Sequence, residues 1–442
     1  VRSAVGEDFP ILYRHTSVED VPTGNGIDLD TTVELCRALT DAGVNAFDIT
    51  AGMQCCFELM TPPTCMPKAW NAATSAAVKE ALGDRARVML TGRISDADTA
   101  ERVVRDGLAD FAIMGRALIA DSHLVEKYAA GRKDEICPCV ACGQGCVGNA
   151  DKMIPITCAL NPLSGREASM PTVPKAETPG RVVVVGAGPA GLMAAATAAE
   201  RGHEVILLER SDRHGGQISL AAVPPHKEDL GHVTGWFERQ LKRAGVGLHL
   251  GAALTPEAVR DLGADAVIAA TGSSPVFPGF CRKARNAVVA QSILSGEAKA
   301  GEKALVIGGG LIGCETAEFL AAQGSDVTIL ELQPELAKDM ESRTRRYLMQ
   351  RLREYGTRFL TSTQVLEVTE EGKVKAKFPS GSERWLDDFD TLVIAVGYRA
   401  ENALAAELEE MGCPCVRVGD CASVGKILTA IESGFQAGCS IK

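Results

Sequence analysis

Short apolar stretches alternate with amphipathic stretches over the first 130 residues. The apolar stretches at 11–16, 46–50, 88–91 and 111–115 predict strands, and the periodic pattern between them, as at 30–42, predicts helices. Strict alternation of β and α elements indicates a parallel sheet, and the first strand is not followed by a glycine-rich phosphate loop. A complete (β/α)8 barrel takes roughly 250 residues. The pattern therefore predicts an α/β fold containing half of a barrel, with four βα units absent from this chain.

A second pattern, an apolar strand closed by a glycine loop, occurs twice in the C-terminal part. Residues 182–191 (VVVVGAGPAG) and 304–313 (ALVIGGGLIG) both predict a strand, a glycine loop and the start of a helix. An acidic residue follows each loop at the same distance along the chain, at Glu209 and at Glu331. The matched offsets predict two nested Rossmann-like nucleotide-binding domains.

Length and composition indicate a multidomain globular protein. The chain has 442 residues, 46% of them hydrophobic and 23% charged. A net charge of −11 argues against nucleic acid as a partner, because nucleic-acid-binding proteins present basic faces that displace counterions from the phosphate backbone. The weakly polar run at 182–199 is interrupted by glycines and a proline, so no membrane span is expected. The chain begins at Val1 without a basic and apolar leader, so we expect no signal peptide, a missing front end and a cytoplasmic location.

Five of the fifteen cysteines lie between positions 137 and 158. Three of them are closely spaced and a fourth is more distant, and an extra one, Cys137, precedes the set. The set consists of Cys139, Cys142, Cys146 and Cys158. Thiolates in this arrangement are a common ligand set for an iron–sulfur cluster, whereas a structural zinc site usually has two short-spaced pairs. The pattern favours a cluster, with zinc as the alternative.

The first glycine loop contains the residues that a dinucleotide requires. Gly186 permits a tight turn, Gly188 lets the backbone approach a pyrophosphate, and Gly191 lets the helix pack on the strand. Glu209 would accept a hydrogen bond from a ribose hydroxyl. A dinucleotide site is therefore expected at this loop.

Further motifs at 215–217 (GGQ), 270–272 (ATG) and 419–420 (GD) follow in an order that resembles the pyridine nucleotide–disulfide oxidoreductase-like superfamily. The resemblance implies that the first fold holds FAD, that the second holds NAD(P)H, and that the final Gly-Asp touches the flavin ribityl chain. The implied FAD-binding residues are Gly186, Gly188, Ala190, Gly191, Glu209, Arg210, Gly216, Gln217, Thr271, Gly272, Gly419 and Asp420.

The second fold determines the nicotinamide coenzyme. The expected NAD-binding residues are Gly308, Gly310, Gly313, Glu315 and Glu331. A carboxylate after the second strand pairs with a ribose 2′-hydroxyl and repels a 2′-phosphate, and residues 331–335 (ELQPE) include no arginine. NADH is therefore favoured over NADPH.

The cysteine spacing, followed by residues 159–162 (ALNP), resembles the Old Yellow Enzyme-related iron–sulfur flavoenzymes. This family includes 2,4-dienoyl-CoA reductase, 2-enoate reductase, bile-acid-inducible NADH:flavin oxidoreductases and trimethylamine dehydrogenase. The resemblance covers the whole chain and implies FMN, a [4Fe–4S] cluster, FAD and NADH as cofactors. The expected domains are 1–135, a partial TIM barrel with strands 5–8 and the FMN site; 136–162, the cluster segment; 163–180, a linker; 181–295 with 393–442, the FAD domain; and 296–392, the NAD(P)H domain.

The same resemblance places an FMN site at the ends of the barrel strands. The implied residues are Arg14, Gly92, Arg93, Gly115 and Arg116. The family's catalytic histidine corresponds to Gln54, which cannot act as an acid, and the other proton donor of the family lies in the absent barrel half. The catalytic acid is therefore left unassigned, and His15 is a possible neighbour of the flavin.

The predicted function is transfer of electrons from NADH through FAD and the cluster to FMN, which reduces the C=C bond of an α,β-unsaturated acid, thioester or steroid enone. The partner is thus a small molecule, and neither nucleic acid nor membrane is expected. The alternatives are an electron-transfer module without alkene turnover, an amine dehydrogenase-like enzyme, and a zinc-stabilised nucleotide-binding protein.

Overall fold

The computed structural model describes residues 1–19, 24–252, 255–413 and 415–442 and divides into two units, Val1–Asn161 and Pro162–Lys442. In this part of the chain, the helices are all too short or too polar to cross a membrane.

The first unit contains a four-stranded parallel sheet in the order β1-β2-β3-β4. The strands are β1 (Leu12–Thr16), β2 (Ala46–Thr50), β3 (Arg87–Thr91) and β4 (Phe111–Ile113). The helices are α1 (Arg2–Val5), α2 (Leu29–Asp41), α3 (Phe57–Met60), α4 (Ala72–Leu82), α5 (Ala97–Arg105), α6 (Gly115–Ala120), α7 (Leu124–Ala129) and α8 (Val147–Ala150). The prediction of four βα units with a parallel sheet is confirmed.

The two inner strands of this sheet form the core of the first unit. Phe47 and Ile49 on β2 and Val88 and Leu90 on β3 are fully buried. The outer strands are different, because Leu12 on β1 is 59% exposed and Phe111 on β4 is 54% exposed. The sheet therefore presents apolar side chains at both of its edges.

Some element boundaries differ from the predicted ones. The strand predicted at 111–115 ends at Ile113, because Gly115 already begins α6. The helix predicted at 30–42 spans Leu29–Asp41, where the Asp28 carboxylate accepts a hydrogen bond from the Thr31 N–H at 2.9 Å and caps the first turn.

The second unit contains two five-stranded parallel sheets and two smaller antiparallel ones. Its strands are β5 (Arg181–Val185), β6 (Glu204–Leu208), β7 (Gly247–His249), β8 (Ala266–Ala269), β9 (Ser273–Pro275), β10 (Ala287–Val289), β11 (Lys303–Ile307), β12 (Asp326–Leu330), β13 (Arg358–Leu360), β14 (Gln364–Val368), β15 (Val374–Lys377), β16 (Glu383–Leu386), β17 (Thr391–Ile394), β18 (Tyr398–Ala400) and β19 (Cys415–Arg417). Its helices are α9 (Pro189–Arg201), α10 (Gln217–Ala221), α11 (Gly231–Arg243), α12 (Pro256–Asp261), α13 (Ala290–Ser295), α14 (Leu311–Ala322), α15 (Ser342–Glu354), α16 (Ala403–Glu410) and α17 (Ile427–Ser440).

The two large sheets have the same design. One has the order β19-β8-β5-β6-β7 and the other the order β10-β17-β11-β12-β13, so in each a glycine-loop strand occupies the centre. The two predicted Rossmann-like folds are confirmed. The second sheet begins with β10 at residue 287, ahead of the predicted domain boundary at 296, because β10 pairs with β17.

The C-terminal helix α17 packs closely on α9, the helix that follows the first glycine loop. A Cβ at Gly434 would lie 2.1 Å from the Ala190 carbonyl oxygen, and one at Gly438 would lie 2.7 Å from the Thr197 Cβ. Only glycine allows this approach, so the end of the chain is part of the first nucleotide-binding fold.

The glycines of the second loop give a test of the fold. A Cβ at Gly313 would lie 1.9 Å from the Gly308 carbonyl oxygen, whereas one at Gly310 would have no atom within 4 Å. We expect Gly313→Ala to lower the free energy of unfolding by about 1–3 kcal/mol or more, since the helix must move away from the strand. Gly310→Ala is the matched control and should unfold at nearly the wild-type urea concentration. Equal midpoints for the two variants would contradict this account of the loop.

Candidate functional site

The four cysteines of the predicted cluster segment line one pocket in the first unit. The empty space at this pocket, including the open solvent at its mouth, is about 330 Å³. Apart from the thiols, its wall consists of small and apolar residues and one arginine. The lining residues are Arg116, Pro138, Cys139, Val140, Ala141, Cys142, Gly143, Gly145, Cys146, Cys158, Ala159 and Leu160. Four thiols around one cavity form a suitable donor set for a polynuclear iron–sulfur group.

Backbone hydrogen bonds bring the distant cysteine back to the other three. The Thr157 N–H donates to the Gly145 carbonyl at 2.8 Å, and the Gly148 N–H donates to the Gly143 carbonyl at 2.7 Å. A Cβ at Gly145 would lie 2.8 Å from the Thr157 oxygen, so a larger residue would push the two segments apart. The local loop structure thus places Cys158 in the pocket wall.

Burial favours the protonated form of three of the pocket thiols. It raises the pKa of Cys142 to about 12 and the pKa of Cys158 to about 11. Burial also raises the pKa of Cys139, and the charge of Arg116 is the largest influence in the opposite direction. Binding of a metal group would therefore release protons from these thiols. Among the described residues, no three His, Cys, Asp or Glu side chains are grouped to hold a single metal ion.

Cys137 is buried but does not line the pocket. Its backbone N–H donates to the Asp121 carboxylate at 2.9 Å, and the same carboxylate forms an ion pair with Lys127 at 2.6 Å. Burial raises the pKa of the Cys137 thiol well above its ordinary value. The residue anchors the chain as it enters the cysteine segment.

The two arginines predicted for FMN phosphate follow β3 and β4. Arg93 donates from Nη1 to the Met66 carbonyl, and Arg116 donates from Nη2 to the Pro62 carbonyl at 2.6 Å. Both guanidinium groups are therefore held by one loop between α3 and α4. Gly92 lies tightly against Asn71, since an added Cβ would be 3.1 Å from the Asn71 Cβ.

Arg14 belongs to a row of polar side chains across the first three strands. Its Nε donates to Asp48 Oδ2 at 2.7 Å, and Asp48 Oδ1 accepts a hydrogen bond from the Thr91 hydroxyl at 2.6 Å. Sequence analysis did not identify Asp48, whose signal was only a charged residue inside an apolar strand. The Asp48 carboxylate fixes the orientation of the Arg14 guanidinium.

The proton donor stays unassigned. The Gln54 side chain lies outside the described part of the structure. His15 is buried, and its Nε2 lies 3.0 Å from the Thr32 hydroxyl oxygen. Burial lowers the pKa of His15, so this side chain is a neutral hydrogen-bonding residue between β1 and α2.

The first glycine loop is organised around Glu209. Its carboxylate accepts hydrogen bonds from the Ala187 N–H at 2.7 Å, the Ser211 N–H at 2.9 Å and the Ser211 hydroxyl at 2.6 Å. A Cβ at Gly191 would lie 1.8 Å from the Gly186 oxygen, whereas one at Gly188 would have no atom within 4 Å. The space above Gly188 is thus free of protein atoms.

Three residues that are distant in sequence meet beside this loop. Asp420 Oδ2 accepts a hydrogen bond from the Ser273 hydroxyl at 2.6 Å, and Gln217 Nε2 donates to Ser273 at 3.0 Å and to Asp420 at 3.3 Å. Ser273 was missed by sequence analysis, although it directly follows the 270–272 motif. The predicted residues Gln217 and Asp420 are therefore brought together through a serine.

The remaining residues predicted for FAD lie around the same fold. Thr271 donates to the Glu401 carbonyl, and a Cβ at Gly419 would lie 2.7 Å from the Ala190 Cβ. Arg210 is exposed at the end of β6. Gly216 precedes α10, and an added Cβ there would lie 3.0 Å from the Gly188 Cα.

The second glycine loop repeats the hydrogen bonds of the first. Glu331 accepts from the Gly309 N–H at 2.5 Å and from the Gln333 N–H at 2.7 Å, as Glu209 does from the corresponding positions of its loop. The Ala337 N–H donates to the Gly309 carbonyl at 2.7 Å. The Asp339 carboxylate, which sequence analysis did not identify, accepts from the Leu311 N–H at 3.1 Å.

Glu315 lies at a contact between the two nucleotide-binding folds. Its carboxylate is 4% exposed and forms an ion pair with Lys227, which precedes α11 of the first fold. Burial raises the pKa of Glu315, and the charge of Lys227 opposes this effect. The corresponding residue of the first loop is Met193, so the charge is not part of the design that the two loops share.

Two nucleotide-binding loops with paired glutamates, together with a four-cysteine pocket, define a flavin oxidoreductase that uses a pyridine nucleotide. Residues 180–426 match the family model of pyridine nucleotide-disulphide oxidoreductases, and residues 1–135 match that of the NADH:flavin oxidoreductase / NADH oxidase family. The chain belongs to the Old Yellow Enzyme-related iron–sulfur flavoenzyme family that combines these two regions.

Individual relatives agree with this assignment. The chain is 36% identical over 448 residues to an NADH oxidase of Thermoanaerobacter brockii, with 100% of this chain and 68% of the relative covered. It is 30% identical over 457 residues to a cinnamate reductase of Clostridium sporogenes, with 100% and 68% covered. A solved structure of 2-naphthoyl-CoA reductase matches with a TM-score of 0.93 at 29% identity, covering 100% of this chain and 66% of that one. The chain thus spans about two thirds of the length of these relatives.

The buried ion pair gives a prediction on stability. Lys227→Met leaves the Glu315 carboxylate buried without its partner, which should cost about 3–5 kcal/mol of unfolding free energy. Lys303→Met is the control, because Lys303 pairs with Asp388 on the surface and its loss should have a much smaller effect. The unfolding free energy of both variants is measured by urea unfolding. An equal loss in Lys227→Met and Lys303→Met would contradict this account of the ion pair.

The same variant should show a characteristic pH dependence. Without Lys227, burial raises the folded-state pKa of Glu315 further above its unfolded value. The folded state then binds the proton more tightly than the unfolded state, so Lys227→Met should lose stability relative to wild type as the pH rises from about 5 to about 8. A difference that is constant with pH would indicate that Glu315 is not the responsible group.

Proposed function

We propose that this chain transfers electrons from NADH through FAD and a [4Fe–4S] cluster to FMN, which reduces the C=C bond of an α,β-unsaturated substrate. The observation that supports it most is the pocket lined by Cys139, Cys142, Cys146 and Cys158 in a chain that also has two nucleotide-binding loops. Flavins accept electron pairs and release single electrons, and a cluster passes single electrons between them.

The cysteine pocket fits a cluster in its chemistry and its surroundings. Its four thiols are the usual donors to iron, and the apolar residues Val140, Ala159 and Leu160 would shield the group from water. Zinc is the alternative, but structural zinc sites usually have two short-spaced pairs of ligands, and the distant Cys158 fits that pattern less well.

The two glycine loops fit FAD and NADH. The space free of protein atoms at Gly188 and at Gly310 lies where each loop meets the start of a long helix, which is where a pyrophosphate binds. Glu209 and Glu331 already orient the loops through backbone N–H groups, and their carboxylates would face the ribose hydroxyls.

The FMN and substrate assignments are supported by the resemblance and by the relatives. Arg93 and Arg116 lie at the ends of adjacent strands and would hold a phosphate. Relatives named cinnamate reductase and 2-naphthoyl-CoA reductase suggest an aromatic or conjugated acid or thioester as the substrate. The apolar residues exposed on β1 and β4 suggest that the FMN site is incomplete in this chain. The second candidate function is therefore an electron-transfer module, in which NADH reduces FAD and the cluster without reduction of an alkene.

Cofactor analysis tests the proposal directly. After anaerobic purification, we expect one FAD and about four iron and four sulfide per chain, with bleaching of the visible spectrum on addition of NADH. Cys142→Ser is the matched variant and should lose iron and sulfide while it keeps FAD. FMN together with reduction of cinnamate supports the complete path. FAD and iron without FMN supports the electron-transfer module, and zinc in place of iron overturns both.

Coenzyme preference tests the role of Glu331. NADH should reduce the bound FAD at least about tenfold more efficiently than NADPH, corresponding to about 1.4 kcal/mol. Glu331→Gln removes the charge that repels a 2′-phosphate and should narrow this ratio, whereas Gly310→Ala should weaken both coenzymes alike by filling the space for the pyrophosphate. Equal efficiency of NADH and NADPH with the wild-type chain would refute the role given to Glu331.

A further inference from the structure

Arg116 belongs to two predicted sites, the FMN phosphate site and the cysteine pocket. It follows Gly115 at the start of α6, where the resemblance implies contact with FMN phosphate. The residue also lines the cysteine pocket, whose wall includes all four cysteines of the predicted cluster. The hydrogen bond from Nη2 to the Pro62 carbonyl holds the guanidinium in that position.

The pocket contains a single permanent charge. Among the described residues that line it, Arg116 alone has a charged side chain, and the others are cysteines, glycines and apolar residues. Asp121 and Lys127 form an ion pair beside Cys137, and none of these three residues lines the pocket. The electrostatic potential inside the pocket is therefore expected to depend mainly on Arg116.

Arg93, the other arginine predicted for FMN phosphate, provides a comparison for Arg116. Arg93 does not line the pocket, and its Nη1 donates to the Met66 carbonyl. The two arginines thus form a matched pair in which only one faces the cysteines.

We propose that Arg116 sets the reduction potential of the cluster that the four cysteines hold, an inference that rests on the proposed function. Uptake of one electron, which NADH would supply through FAD, would add one negative charge to a pocket with a mostly apolar lining, without breaking a bond or requiring a proton. A fixed guanidinium at the wall stabilises that reduced state and so raises the potential. The positive charge of Arg116 would thus make the cluster a better electron acceptor.

The test is a redox titration of the whole anaerobically purified chain, followed by electron paramagnetic resonance, with iron, sulfide and FMN measured in each sample. Arg116→Gln and Arg116→Met, both neutral, should shift the midpoint potential to more negative values. Arg116→Lys keeps the charge and should stay near the wild-type potential. Arg93→Gln is the control and should lose FMN while the potential changes little.

The outcomes separate the inference from the proposed function. A wild-type chain without iron and sulfide refutes the cluster itself and the inference with it. A wild-type cluster with an unchanged midpoint in fully loaded Arg116→Gln overturns only the role of Arg116. If neither neutral variant retains iron, Arg116→Lys decides: a wild-type potential supports the proposal, and a clearly more negative one overturns it, because the charge is still present.

Discussion

A helix can start directly at the end of a strand only if nothing occupies the space between them. In both nucleotide-binding folds this space is narrower than a methyl group. A Cβ added at Gly191 would lie 1.8 Å from the Gly186 oxygen, and a Cβ added at Gly313 would lie 1.9 Å from the Gly308 oxygen. The close approach aligns the first N–H groups of α9 and α14 with the loops. The positions of Glu209 and Glu331, and the open space at Gly188 and Gly310, follow from it.

The sequence predicted those features well because each depends on residues close together in the chain. The alternation of strands and helices in the first unit, the two glycine loops and the acidic residues after them are local patterns. The cysteine segment is also local. The backbone hydrogen bond between Gly145 and Thr157 brings the cysteines of this segment together around one pocket.

What the sequence did not predict depends on contacts between distant segments. The ion pair of Lys227 with Glu315 joins two folds, and neither residue belongs to a motif that both folds share. The role of Asp48 could not be predicted from its own strand, because its partners Arg14 and Thr91 lie on the neighbouring strands β1 and β3. The start of the second sheet at β10 is another example, because that short strand is recognisable only by its pairing with β17.

The two nucleotide-binding folds differ in how their pieces are ordered along the chain, and this has a consequence for synthesis on the ribosome. The second sheet is built from one continuous stretch, β10 to β17, so all of its strands have emerged before β19 is made. The first sheet is complete only once β19 has paired with β8. The contact between Gln217 and Asp420 also requires this later part of the chain. The inserted domain can therefore fold during translation before the domain that surrounds it, which also needs β19 and the packing of α17 on α9.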